Sequence, residues 1–227
     1  MIEAVVFDFD GLIFDSETPE YQSWAAIFTS FGVELTVEKW TIWLGIGMHD
    51  SQFSPYDYLE ECLGAPVDRD RIRVERQEKY ESLTKDADVR PGVRQYLAAA
   101  KQLGLKIAVA SSGRRNWVVP HLEKYQLSHF FDTVCVRDDV THGKPNPEVY
   151  LKALNNLDVK ANHAVAFEDS PVGASAATAA GMRCVIVPNP LTEQLHFKQY
   201  DLRLTSMLQM DLATVIQQLT DSQMEAK

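Results

Sequence analysis

Five short apolar runs constrain this chain more than any other feature: residues 4–9, 107–110, 133–136, 164–167 and 183–187. Each is short for a helix and apolar at nearly every position, which suits a strand covered on both faces. Helical patterns lie between most of them. In 91–103, Val93, Tyr96, Leu97, Ala100 and Leu103 form one stripe, and Gly104 ends it. In 147–157, Tyr150, Ala153, Leu154 and Leu157 share a face, and 171–180 is rich in small residues and stopped by Gly181. Strand and helix in alternation imply an α/β fold: a Rossmann-like, doubly wound parallel sheet with right-handed crossovers.

One interval breaks the rhythm. Between the first and second strands most of the sequence reads as helix, near 19–31, 37–44, 55–63 and 70–83. Pro19 suits the first turn of the first of these, and Gly32 its end. The expected organisation is a core of residues 1–15 and 88–227, interrupted by an all-helical cap domain of residues 16–87. No internal repeat or low-complexity tract is present, and the polar tail from Thr220 is expected to fray.

The strand ends carry the chemistry. The first runs into Asp8-Phe9-Asp10-Gly11, with two carboxylates spaced by two, leaving one face of the strand end, and a glycine that permits a sharp turn. Such a pair can hold a hard cation or divide nucleophilic and proton-transfer work. The second ends in Ser111-Ser112-Gly113, whose hydroxyls and N–H groups can grip phosphate oxygens. Gly143-Lys144-Pro145-Asn146-Pro147 holds a lysine between prolines, and Glu168-Asp169 follows the fourth run. Each segment has a plain conformational reading as turn, helix cap or solvated lysine. Their order along the chain is the stronger signal, because parallel sheets bind ligands beyond the carboxyl ends of their strands.

Composition narrows the partners. The net charge of −10 and pI near 5.0 argue against nucleic acid, so an anionic substrate needs a local reversal of field from a metal or fixed cations. The three cysteines, Cys62, Cys135 and Cys184, are far apart in apolar surroundings and read as buried, reduced thiols of a cytoplasmic protein. No zinc-ligand spacing, signal peptide or membrane span is expected, and the protein is expected to act as a monomer.

The four segments together resemble the haloacid dehalogenase superfamily, in the subgroup of β-phosphoglucomutases and small-metabolite phosphatases. Asp8-x-Asp10-Gly11 is similar to its first motif, Ser111 to its second, Lys144 to its third and Glu168-Asp169 to its fourth. The resemblance spans the whole chain, helical insertion included. It implies Asp8 as nucleophile and Asp10 as general acid and base. Mg²⁺ would be held by Asp8, Asp169 and the Asp10 carbonyl, with Glu168 as ligand or support. Ser111, Ser112 and Lys144 would hold the phosphoryl group. The second aspartate of the first motif sets the chain apart from the metal-free dehalogenases of the superfamily.

The same resemblance speaks to substrate. Where the mutases carry a cap histidine four residues before a tryptophan, this chain has Glu20 before Trp24. His49 stands where they have a basic residue for the distal phosphate, while Arg76 and Arg114 match two further basic positions. The leading expectation is a Mg²⁺-dependent phosphatase of a small phosphorylated metabolite such as a sugar phosphate. A β-phosphoglucomutase-type phosphomutase and a non-catalytic phosphate-sensing protein are the alternatives.

Overall fold

The structure, a computed structural model, describes residues 1–46 and 54–225. The chain forms two compact units, Met1–Asp15 with Val89–Lys227, and Ser16–Asp88. In the first, strands β1 (Ala4–Phe7), β2 (Lys106–Ala110), β3 (Thr133–Cys135), β4 (Ala164–Glu168), β5 (Arg183–Ile186) and β6 (Leu202–Arg203) form one parallel sheet. Their order is β3-β2-β1-β4-β5-β6. The five apolar runs therefore lie in β1 to β5, and the fold is the α/β Rossmann-like arrangement. The two-residue β6 has no counterpart among the runs, because a strand that short leaves no periodicity to read.

Alternation along the strands sorts side chains onto two faces. One face is built mostly of small residues, Ala4, Ala108, Ala110, Ala164, Ala166 and Cys184, with Val6 and Ile186 beside them. Against it lie α7 (Glu148–Leu157), through Tyr150, Ala153, Leu154 and Leu157, and the alanine-rich α8 (Pro171–Ala179). The absence of bulk lets α8 approach the sheet closely. Larger side chains face the other way: Phe7 stacks on Phe167 at 5.0 Å, and Tyr96 of α5 (Val93–Gln102) meets Phe167 edge-on. The Tyr96 hydroxyl donates to the Met210 carbonyl, just ahead of α9 (Leu212–Glu225). That last helix is seated by the buried Leu212, Val215 and Leu219 and continues to Glu225.

The register levels the strand ends. Phe7 pairs with Val109 on one side and Phe167 on the other, and the Asp8 N–H donates to the Phe167 carbonyl. The residues that follow β1, β2 and β4 therefore emerge together at one edge.

The second unit contains α1 (Glu17–Ser30), α2 (Val37–Ile46), α3 (Pro55–Leu63) and α4 (Arg69–Thr84). Local chemistry sets its ends. Ser54 and Asp68 cap α3 and α4 through their side chains, Pro55 opens α3, and Gly64 closes it in the left-handed conformation. Its interior is aromatic: Trp24 packs edge-on to Tyr56 at 4.8 Å, and Trp43 to Tyr58 at 5.5 Å. Among the cysteines, Cys135 and Cys184 are buried, but Cys62 is exposed, against expectation. It lies in the last turn of an amphipathic helix whose buried contact is Leu59.

The small-residue face predicts a cost for added volume. Ala166 is fully buried in that layer. Ala166→Leu should lower stability by about 1–3 kcal/mol, read from the denaturant midpoint, because close-packed cores resist overpacking. An unchanged midpoint would mean that the layer has room to give.

Candidate active site

The turn after β1 is fixed by its own backbone and by one distant arginine. Gly11 has φ +78°, and a Cβ there would lie 2.2 Å from Asp169 Oδ2, so both conformation and space call for glycine. Its N–H donates to Phe14, while Ile13 and Phe14 donate to the Phe9 carbonyl. The Arg90 guanidinium donates to the carbonyls of Gly11, Val187 and Pro188, at 2.6, 2.9 and 2.8 Å. It thus ties the aspartate turn to the end of β5.

Asp8 lies beside one buried cation. Lys144 Nζ is 2.5 Å from Asp8 Oδ1 and 2.6 Å from Glu168 Oε1, and all three side chains are almost wholly buried. The loop carrying Lys144 is anchored by Glu148, whose carboxylate accepts from the N–H groups of Thr141 and His142. Glu168 Oε1 also accepts from the Tyr150 hydroxyl at 2.5 Å. Burial, with Glu168 and Asp8 nearby, pushes the Tyr150 phenol well above its ordinary value, so it remains a donor. Glu168 lies against Gly173, where a Cβ would fall 2.0 Å from Oε2.

Ser170 caps α8, its hydroxyl accepting from the Gly173 N–H, with Pro171 next. Asp169 Oδ2 instead accepts from Asn189 Nδ2 at 2.8 Å. Asn189 is locked in turn, since its Oδ1 accepts from the N–H groups of Leu191 and Thr192.

Asp8, Glu168 and Asp169 converge, each offering a carboxylate oxygen within 4.8 Å of the others. Desolvation and Glu168 push the Asp8 carboxyl up to about 8, against the pull of Lys144. Burial works against the Lys144 charge, yet Asp8 and Glu168 outweigh it and hold the ammonium protonated. One ammonium among three buried carboxylates leaves negative charge in excess. An all-oxygen donor set with that imbalance fits a hard divalent cation.

The rest of the predicted core site lies at the same edge. Ser111 is buried, its hydroxyl accepts from the Gly113 N–H at 2.8 Å, and it lies 3.5 Å from Asp10 Oδ2. Ser112 is half-buried beside it. Asp10 Oδ1 accepts from Trp117 Nε1 at 2.8 Å. Arg114 is exposed and occupies the cap position of α6 (Arg115–Lys124) without a capping bond from its side chain.

Of the residues expected on the helical unit, three form a cluster within it. Glu20 pairs with Arg76 at 2.5 Å and accepts from Trp24 Nε1 at 3.1 Å, while the guanidinium lies over the Trp24 ring. His49 falls outside the described residues. Sequence reasoning missed Arg90, Trp117, Tyr150 and Asn189. Tyr150 was legible only as a member of an apolar stripe. Arg90, Trp117 and Asn189 lie on connections and a helix start, where neither periodicity nor motif marked them.

The pattern of the haloacid dehalogenase-like hydrolases matches residues 5–187. The chain belongs to that family. It is 44% identical over 219 residues to the Bacillus subtilis (strain 168) protein named "Putative phosphatase YhcW", covering 96% of this chain and 98% of that one. It is 30% identical over 181 residues to a "Phosphorylated carbohydrates phosphatase" of Thermotoga maritima, covering 80% and 82%. Among solved structures, CbbY from Rhodobacter sphaeroides in complex with phosphate superposes with a TM-score of 0.67. Its identity is 29%, over 94% of this chain and 98% of that one.

Two predictions follow from the site of this hydrolase. Gly173→Ala should drive the Glu168 carboxylate off Lys144 and Tyr150, and so lower both the thermal midpoint and any activity. A variant matching wild type in both would show that the helix shifts without cost. The second concerns pH. An Asp8 carboxyl titrating near 8 is largely protonated at pH 7, and a bound cation favours the ionised form. Cation binding should therefore release a proton at pH 7, and the release should fade as pH rises above about 8. Calorimetry in buffers of differing ionisation enthalpy measures it, and zero release at pH 7 would contradict the assignment.

Proposed function

We propose that this chain is a Mg²⁺-dependent phosphatase that hydrolyses a small phosphorylated carbohydrate through a phosphoaspartate on Asp8. The observation that carries this reading is the buried Asp8 carboxylate paired with Lys144 and flanked by Glu168 and Asp169. The names of the Bacillus and Thermotoga relatives support the substrate class.

The chain's own groups divide the work. Lys144 holds Asp8 Oδ1, leaving Oδ2 as the attacking oxygen. Attack on phosphorus forms the aspartyl–phosphate bond and breaks the bond to the sugar oxygen. Protonated Asp10 gives its proton to that oxygen, so the sugar leaves as an alcohol. The Asp10 carboxylate then takes a proton from water as the water attacks the phosphoaspartate, regenerating Asp8 and releasing inorganic phosphate. Ser111, Ser112 and Lys144 orient the phosphoryl oxygens, which is the main demand of a loose phosphoryl-transfer transition state. Asp8, Asp169 and the Asp10 carbonyl, with Glu168 in support, would hold Mg²⁺, which when bound neutralises phosphoryl charge. The helical unit is proposed to serve as the cap that selects substrate, through Glu20, Trp24, Arg76 and His49, together with Arg114 of the core.

The Glu20–Arg76 pair favours hydrolysis over phosphoglucomutase chemistry. A mutase must clamp a second phosphate during each cycle. Here Arg76 is already neutralised by a carboxylate that would repel a bisphosphorylated intermediate.

A panel of sugar monophosphates, assayed for both inorganic phosphate and isomerised product, tests the proposal. Phosphate should be released, should cease in chelator and should return with Mg²⁺. Asp8→Asn should abolish turnover, and Asp10→Asn should slow it by about 10²–10⁴-fold. Isomerisation without phosphate release, sustained by catalytic glucose 1,6-bisphosphate, would favour the mutase. Phosphate binding without turnover would favour a sensor.

A further inference from the structure

The mechanism leaves one close contact unused. Trp117 lies in the first turn of α6, and its indole N–H donates to Asp10 Oδ1 at 2.8 Å. The ring is itself held. It packs on His121 with centroids 4.0 Å apart, and His121 lies 5.6 Å from Phe14 and 6.1 Å from Phe9. His121 Nδ1 is also 2.8 Å from the Trp117 carbonyl, one turn back on the same helix. Phe9 and Phe14 bracket the turn that carries Asp10, so the indole and the carboxylate it meets share one aromatic support.

On the other side of the carboxylate the fit is equally close. A Cβ on Gly113 would fall 2.8 Å from Asp10 Oδ2 and 3.1 Å from the Ser111 hydroxyl. Asp10 therefore sits in a slot with an N–H at one oxygen and a glycine backbone at the other. The donor also has a fixed chemical character. An indole N–H donates and never accepts, and it neither gains nor loses a proton in the range where the enzyme works. It can hold a carboxyl group through both halves of a proton-transfer cycle without competing for the proton. A lysine there would hold the anion too strongly, and a hydroxyl could rotate to accept.

We infer that Trp117 is a positioning residue that holds the Asp10 carboxyl group in place for proton transfer to the leaving sugar oxygen and from the attacking water. The inference rests on the reading of Asp10 as general acid and base. It assigns no contact between Trp117 and the phosphoryl group.

The test uses leaving groups of different basicity. A sugar alkoxide needs a proton to depart, whereas p-nitrophenolate leaves without one. The probes are p-nitrophenyl phosphate and the hexose monophosphate that the wild-type protein turns over fastest. Because kcat/KM reports only steps through formation of the phosphoaspartate, it isolates the acid half of the cycle. Trp117→Phe keeps an aromatic ring but removes the N–H. It should lower kcat/KM for the sugar phosphate by about 10–100-fold and leave kcat/KM for p-nitrophenyl phosphate close to wild type. In an Asp10→Asn background the same substitution should cost little more, because its route of action is already gone. Equal loss of kcat/KM on both substrates, or a full further loss in the Asp10→Asn background, would overturn the inference.

Asp10→Asn alone separates the two readings. If it fails to discriminate between the leaving groups, the acid–base role of Asp10 falls and that of Trp117 falls with it. If it discriminates and Trp117→Phe does not, only Trp117 is misassigned. Should Trp117→Phe fail to fold, the wild-type protein labelled with ¹⁵N-tryptophan supplies the reading. The assigned indole resonance of Trp117 should move in Asp10→Ala, while those of Trp24, Trp40 and Trp43 stay in place. A Trp117 resonance indifferent to that change would refute the contact and the inference together.

Discussion

One buried ammonium organises the carboxyl edge of the sheet in this protein. Lys144 lies between Asp8 and Glu168, and all three side chains are almost wholly buried. Burying a charge is tolerable only where partners and hydrogen bonds compensate it, and removing one partner of such a group typically costs about 3–5 kcal/mol. The surrounding architecture follows from that demand. Glu148 anchors the loop that carries the lysine, Tyr150 supplies a second donor to Glu168, and Gly173 yields space to the glutamate. None of these residues has to touch a substrate. Their effect is to leave Asp8 with one oxygen engaged and its position fixed, which is the preorganisation that electrostatic catalysis exploits.

The sheet makes this arrangement possible because three chemistry-bearing strands are neighbours. β2, β1 and β4 lie side by side in level register, so Ser111, Asp8 and Glu168 emerge at one edge although they are far apart in sequence. A parallel sheet aligns all of its carboxyl ends, and an antiparallel one would have sent half of them to the opposite side. The alanine face contributes as well. It lets α7 and α8 lie close beneath the edge, which brings Tyr150 and Gly173 within reach of Glu168.

What was legible in the sequence was whatever repeats or runs. Apolar runs located β1 to β5, and stripes located α5 and α7, since burial on a regular element imposes a period. The acids and the lysine were legible by their position after those runs. The supporting residues were not. Arg90 acts through three backbone carbonyls separated by most of the chain length, and Asn189 acts through a turn that only the fold creates. Tyr150 shows why a pattern can mislead. The stripe correctly placed it against the sheet, yet its hydroxyl, at the end of an apolar ring, reaches the charged cluster. Cys62 misled in the opposite direction, because apolar neighbours in sequence do not ensure an inward face on a helix.

The charge of the chain bears on substrate in a way that the site alone does not. A protein of net charge −10 repels anions over most of its surface, so a phosphorylated ligand must be drawn by local cations. In the helical unit Arg76 forms an ion pair with Glu20 and packs over Trp24, so it offers a hydrogen-bonding and aromatic surface with little net charge. In the core, the buried Lys144 is spent on Asp8 and Glu168, whereas Arg114, beside the Ser111 turn, is exposed. A matched pair such as Glu20–Arg76 adds no net charge to the helical unit. It also explains why a glutamate can be tolerated at position 20: its charge is matched by the arginine beside it.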